Sequence, residues 1–159
     1  MKLGVVTTFP PNRWNVYAQR MIESHIEFWP DDVKLYAYYE GDKPNLQNEK
    51  VVFVDIHEAN PELVKFKKKH KNDPVANGEL QEIPGGVKRS PAAGDKDKGK
   101  GSYLWDAVRF AHKTFAVDHA IRTWPEEYML WLDADTFTFR KITTEFVTGL
   151  LPSDKLVNF

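Results

Sequence analysis

The chain has no cysteine among its 159 residues, so it can form neither a disulfide framework nor a thiolate metal site. It also lacks a surplus of either charge: 22 Lys and Arg stand against 23 Asp and Glu, a formal net charge of −1. That balance argues against a protein built to coat nucleic acid, which leaves a basic excess. No stretch approaches the roughly 18 consecutive apolar residues of a membrane span. The apolar part of Met1-Lys2-Leu3-Gly4-Val5-Val6 is also too short for a signal peptide, and the expected location is the cytoplasm. Aromatic residues, by contrast, are plentiful, with five Trp, six Tyr and ten Phe. A chain of this length fits one domain with a real core.

Three apolar runs in the first third read as strands: Lys2 to Thr8, Val33 to Tyr39, and Val51 to Ile56. Pro10 and Pro11 end the first. Between the first two, Ala18, Ile22, Ile26 and Trp29 recur at helical spacing, which predicts a helix from Trp14 or Asn15 to Trp29 with Asn15 as N-cap. Pro61 to Lys71 is a short lysine-rich helix whose charges read as a solvated face. The stretch 72–101 is rich in Gly, Pro, Lys and Asp and reads as one long flexible loop, a lid in which Lys96, Lys98 and Lys100 are candidates to close on a diphosphate. Ser102 is the predicted start of a second long helix, with Leu104, Val108, Ala111 and Phe115 on its apolar face. Thr143 or Thr144 is the predicted cap of a last helix.

The most informative stretch is Tyr128-Met129-Leu130-Trp131-Leu132-Asp133-Ala134-Asp135. A short run that is apolar on both faces fits a central strand covered by helices on both sides. Two carboxylates follow at its carboxyl end, where open α/β sheets present their ligand crevice. Hard oxygen donors of this kind suit Mg²⁺ or Mn²⁺, which accept one or two carboxylates and fill their shell from water and phosphate. The strand, helix, strand order at the start points to a doubly wound α/β fold with a mostly parallel sheet. In such a sheet the tips of the first two strands share an edge with Asp133 and Asp135.

An apolar strand ending in Asp-x-Asp resembles the nucleotide-sugar-dependent glycosyltransferases of the GT-A fold. The resemblance implies a Rossmann-like GT-A domain spanning 1–159, a nucleoside-diphosphate-sugar donor such as a UDP-sugar, an acceptor of unknown kind, and Mn²⁺ or Mg²⁺ held by Asp133 and Asp135. It also implies a nucleotide site at Thr7, Thr8, Phe9, Tyr39, Glu40 and Asp133. A second point of likeness is Asp106-Ala107-Val108-Arg109. Some members carry Asp-x-x-Arg on the helix before the metal strand, where it contacts the donor sugar or phosphate, and Lys113 follows one turn later. The Gly-Gly-x-Tyr found in some members is here Pro125-Glu126-Glu127-Tyr128.

The likeness covers only the nucleotide-binding half of a typical family domain, so a truncated form, a minimal version or a half completed in a homo-oligomer is expected. No residue stands out as catalytic base, and the five histidines show no metal-ligand spacing. Two alternatives remain. One is a module that binds a nucleotide sugar without turnover. The other is a phosphohydrolase of the haloacid dehalogenase kind, which places Asp-x-Asp on its first strand and expects Thr or Val where Phe137 stands.

Overall fold

The computed structural model describes residues 2–77 and 106–150. Strand β1 (Leu3–Phe9) lies inside a sheet of order β3-β2-β1-β4, with β2 (Lys34–Tyr39), β3 (Val51–Asp55) and β4 (Tyr128–Trp131). Every pairing is parallel: Val5 lies opposite Leu35 on one side and Leu130 on the other, and Tyr36 lies opposite Val52. The chain therefore has the α/β architecture expected of it.

Both faces of the sheet are covered, as a parallel sheet requires. On one face Leu3, Val5, Leu35, Ala37 and Val51 pack with Ala18, Met21 and Ile22 in a single apolar cluster. The last three come from helix α1 (Gln19–Phe28) and the turn before it. On the other face the Tyr36 ring stacks on Trp124 at a centroid distance of 4.6 Å, and the Tyr38 hydroxyl meets His119 Nδ1 at 2.8 Å. Gly4 makes room at that spot, because a Cβ would lie 3.0 Å from Met129 Sδ and 3.1 Å from the Tyr36 ring, close enough that these side chains would have to shift.

The helical segment before α1 differs from its sequence-based prediction. It opens at Pro11 with a 3-10 turn, Pro11–Arg13, and continues through a wide π turn, Trp14–Ala18. Asn15 therefore sits inside the helical segment and caps nothing. The cause is Pro11, whose fixed φ suits the first helical position. At the other end of that segment Lys50, 5% exposed, donates from Nζ to the carbonyls of Ile26 (2.8 Å) and Trp29 (2.5 Å), so a lysine just before β3 closes the C-terminus of α1. Gly41, at φ 89°, takes the left-handed turn that leaves β2.

Two compact units divide the chain, one of Met1–Ala59 with Ala116–Phe159, the other of Asn60–Phe115. The first holds the sheet, α1, helix α2 (Ile56–Ala59) and helix α5 (Thr144–Gly149), which Thr143 caps by accepting the Phe146 N–H at 3.2 Å. The sequence had placed Ile56 in β3. Asp55 Oδ1 instead accepts the N–H groups of His57 (2.8 Å) and Glu58 (3.1 Å) and so turns the strand into α2.

In the second unit helix α3 (Pro61–Lys69) leads to a turn where Asp73 Oδ1 accepts the N–H groups of Val75 (3.0 Å) and Ala76 (3.2 Å). Helix α4 (Ala107–Thr123) begins there and ends in the first unit. Its fully buried side chains are small ones, Ala116 and Ala120, whereas Phe110 and Ile121 are exposed. The expected lid lysines Lys96, Lys98 and Lys100, and the expected helix start at Ser102 and Leu104, lie outside the described residues.

Candidate functional site

Strand order alone marks one place on the sheet. From β1 the chain moves to β2 and then β3 on one side, and only later adds β4 on the other side of β1. The gap beyond the carboxyl ends of β1 and β4 is thus a topological switch point, where open α/β sheets bind ligands. β4 is not the central, fully covered strand that its apolar run predicts: it lies at the edge of the described sheet, with Tyr128 exposed and Met129 to Trp131 half-buried. Leu132 continues the pairing through its N–H to the Val6 carbonyl at 3.0 Å, and Asp133 and Asp135 come just after it.

The acids occupy a tight turn. Thr136 donates to the Asp133 carbonyl twice, from its N–H at 3.0 Å and from Oγ1 at 2.7 Å. Ala134, between the two acids, is 6% exposed and belongs to the apolar cluster, while Asp133 and Asp135 are both exposed. A buried methyl therefore pins the turn, and the carboxylates on either side stay in water. Trp131 Nε1–H donates to Asp133 Oδ1 at 2.7 Å, which fixes that carboxylate. Two exposed hard-oxygen donors in one short turn, one of them held by an indole, fit Mg²⁺ or Mn²⁺, ions that need few protein ligands.

The residues at the tips of the neighbouring strands divide into buried and accessible. Thr7 is fully buried, and its Oγ1 has no hydrogen-bond partner among the described residues. Phe9 is 3% exposed and lies in the apolar cluster, with the Trp14 ring 5.8 Å away. Thr8 is half-buried and donates from Oγ1 to the Tyr38 carbonyl at 3.0 Å.

Tyr39 and Glu40, at the end of β2, are both half-buried. Burial, with Asp55 and Glu58 nearby, raises the Tyr39 hydroxyl above its ordinary pKa, so it stays protonated as a hydrogen-bond donor. Glu40 faces His57 Nε2 at 3.7 Å. Spacing along the chain had given no role to His57. Its place is legible only once β2 and β3 are known to be parallel neighbours, because their tips then lie side by side.

Asp106 and Arg109 belong to the second unit. Asp106 is the N-cap of α4: its Oδ1 accepts the Arg109 N–H at 2.8 Å and its carbonyl accepts the Phe110 N–H at 3.0 Å. One oxygen of that carboxylate is therefore committed to the helix. Arg109 and Lys113 are exposed on α4.

A separate groove of about 670 Å³ runs along the loop between β2 and β3, lined by Lys43, Asn45, Gln47, Val51 and Phe53 among others. None of the residues expected at the nucleotide or metal site lines it. Comparisons with protein-family models, with curated proteins and with solved structures give no match.

Proposed function

We propose that the chain is a donor-binding GT-A-like domain of a metal-dependent glycosyltransferase, which takes a sugar from a nucleoside diphosphate such as a UDP-sugar and passes it to an acceptor. The observation that carries this reading is the placement of Asp133 and Asp135 in one exposed turn at the switch point between β1 and β4. Two acids suited to a divalent cation give the crevice a means of holding a diphosphate.

In this reading Asp133 and Asp135 hold Mn²⁺ or Mg²⁺, and Trp131 keeps the Asp133 carboxylate aimed. When bound, the cation neutralises charge on the departing diphosphate. Thr8, Tyr39 and Glu40 are the groups at the strand tips open to ribose and base, whereas Thr7 and Phe9, expected there too, are buried. The resemblance assigns sugar and diphosphate contacts to Asp106, Arg109 and Lys113, with the second Asp106 oxygen as the one outside the helix cap. Transfer breaks the bond from the anomeric carbon to the diphosphate oxygen, which leaves with the electron pair. The acceptor hydroxyl oxygen forms the new bond to the anomeric carbon, and its proton goes to the released diphosphate or to solvent.

Calorimetric titration with a panel of nucleoside diphosphate sugars, with and without Mn²⁺, tests the proposal. One donor should bind only with metal and raise the melting temperature, because a ligand selective for the folded state stabilises it. Asp135→Ala should remove both effects. Metal-dependent release of nucleoside diphosphate marks an enzyme, whereas binding without release marks a non-catalytic module. If no nucleotide binds with metal present, the donor-site reading fails.

A further inference from the structure

The near-neutral total charge conceals a division along the sequence. Residues 60–115, the second compact unit, carry 12 Lys and Arg against 7 Asp and Glu, whereas the rest of the chain carries 10 against 16. Most of the excess lies at the start of that unit, where residues 60–77 hold five lysines and only two acids, Glu62 and Asp73.

Helix α3 sorts these lysines. Leu63 is fully buried, and the rings of Phe66 and His70, 4.7 Å apart, are half-buried on the same side. Lys65, Lys68 and Lys69 stand at i, i+3 and i+4 and so share the opposite face, with Lys71 just beyond the helix end; all four are exposed. Lys67 is half-buried, with Nζ 3.1 Å from His112 Nε2. The two acids are already engaged. Glu62 Oε1 meets Lys65 Nζ at 2.6 Å, while Asp73 accepts the N–H groups of Val75 and Ala76 and faces His70 Nδ1 at 3.3 Å. One exposed lysine is thus neutralised, and Lys68, Lys69 and Lys71 have no anionic partner among the described residues.

We propose that this lysine face binds the phosphate backbone of nucleic acid, without regard to base sequence. Ammonium groups about one helical turn apart, with no carboxylate to pair with, meet successive phosphates, and the counterions released drive the association. Lysine is depleted at interfaces between proteins, whose centres are apolar, and Val64 is the one exposed large hydrophobic residue of α3. The helix also has no exposed aromatic ring to insert between lipids. A phosphate chain is the partner that needs charge alone. The balance of the whole chain excludes a protein covered in positive charge, and it is compatible with one local basic face.

Fluorescence anisotropy of the full chain with a labelled DNA duplex of mixed sequence tests the proposal, in EDTA so that the acid turn carries no cation. Between about 20 and about 100 mM salt the affinity should fall by roughly 50- to 100-fold, the dependence expected of three phosphate contacts. Lys68→Gln, Lys69→Gln and Lys71→Gln together should weaken binding at the lower salt by roughly a hundredfold and flatten the salt dependence, whereas Lys68→Arg, Lys69→Arg and Lys71→Arg should retain both. Melting temperatures should hold in both variants, since all three side chains are exposed. Arg140→Gln with Lys141→Gln, in the first unit, should bind as the wild type does. No binding at the lower salt, an affinity independent of salt, or equal losses in the two Gln variants overturns the proposal. So does displacement of the labelled duplex by polyglutamate as readily as by unlabelled duplex, which would assign the face to an acidic protein, or equally tight binding to anionic vesicles, which would assign it to a membrane. Donor binding does not enter this assay, so its outcome is independent of the glycosyltransferase reading.

Discussion

The two edges of the sheet treat polar side chains in opposite ways. At the amino-terminal edge they are buried and engaged. His25 Nε2–H donates to the Val33 carbonyl just before β2 at 3.0 Å, Lys50 closes α1 just before β3, and the Tyr36 hydroxyl donates to Glu126 Oε1 at 2.5 Å just before β4. At the carboxyl edge Asp133 and Asp135 stand in solvent, and Glu40 and Tyr39 are half-buried. One edge uses its charges to fix the fold. The other keeps them open to solvent, where a ligand can reach them with a smaller desolvation cost than a buried group would carry.

The comparison breaks most visibly at His25. Burial, with Lys50 adding a smaller push in the same direction, lowers its pKa to about 4 against the contrary pull of the Val33 hydrogen bond. The folded chain thus keeps this histidine neutral between pH 6.5 and about 4, while the unfolded chain protonates it. Stability is fully present above 6.5 and falls as the pH drops toward 4, by about 3 kcal/mol for this group alone. Urea unfolding from pH 7 to 4 should show that fall, and His25→Gln should flatten the curve by about the same amount.

Lys50→Met is the next largest change, since it leaves the Ile26 and Trp29 carbonyls without their donor; a loss of about 2 kcal/mol is expected in denaturant titration at neutral pH. Tyr36→Phe follows. Glu126 Oε2 is already buried without a partner among the described residues, and the variant orphans Oε1 as well. The expected cost is about 1.5 kcal/mol in denaturant titration at neutral pH. At the carboxyl edge Asp135→Asn should shift the melting temperature of the ligand-free protein by less than about 2 °C. A large shift there would erase the contrast between the edges.

Most of the sheet was legible in the sequence because its strands are short apolar runs ended by turn chemistry: Pro10 and Pro11, Glu40-Gly41-Asp42, and the acids after β4. Boundaries moved by a residue where capping decides them, as at Asp55, whose side chain starts α2. Asn15 looked like a cap because the apolar periodicity begins beside it, but Pro11 starts the helical segment earlier. The face of α4 was harder to read, since alanine is the side chain that allows close packing and carries little periodic signal.

The acid turn was legible because both carboxylates are adjacent in the chain. Glu40 with His57 was not, because only the pairing of β2 with β3 brings them together. Lys50 and His25 likewise act through carbonyls that sequence alone cannot assign. Phe9 and Tyr39 are register partners on the same face of the sheet, and that one is a core residue while the other stays half-buried is set by their tertiary surroundings rather than by any sequence signal.

Calorimetric titration of Mn²⁺ into the wild-type chain and into the Asp133→Asn, Asp135→Asn double variant tests the central claim most directly. The account predicts saturable binding in the wild type, tightened by a nucleoside diphosphate, and none in a double variant that melts at the same temperature. Equal Mn²⁺ binding by both proteins, or none by either in the presence of nucleoside diphosphate, would contradict it.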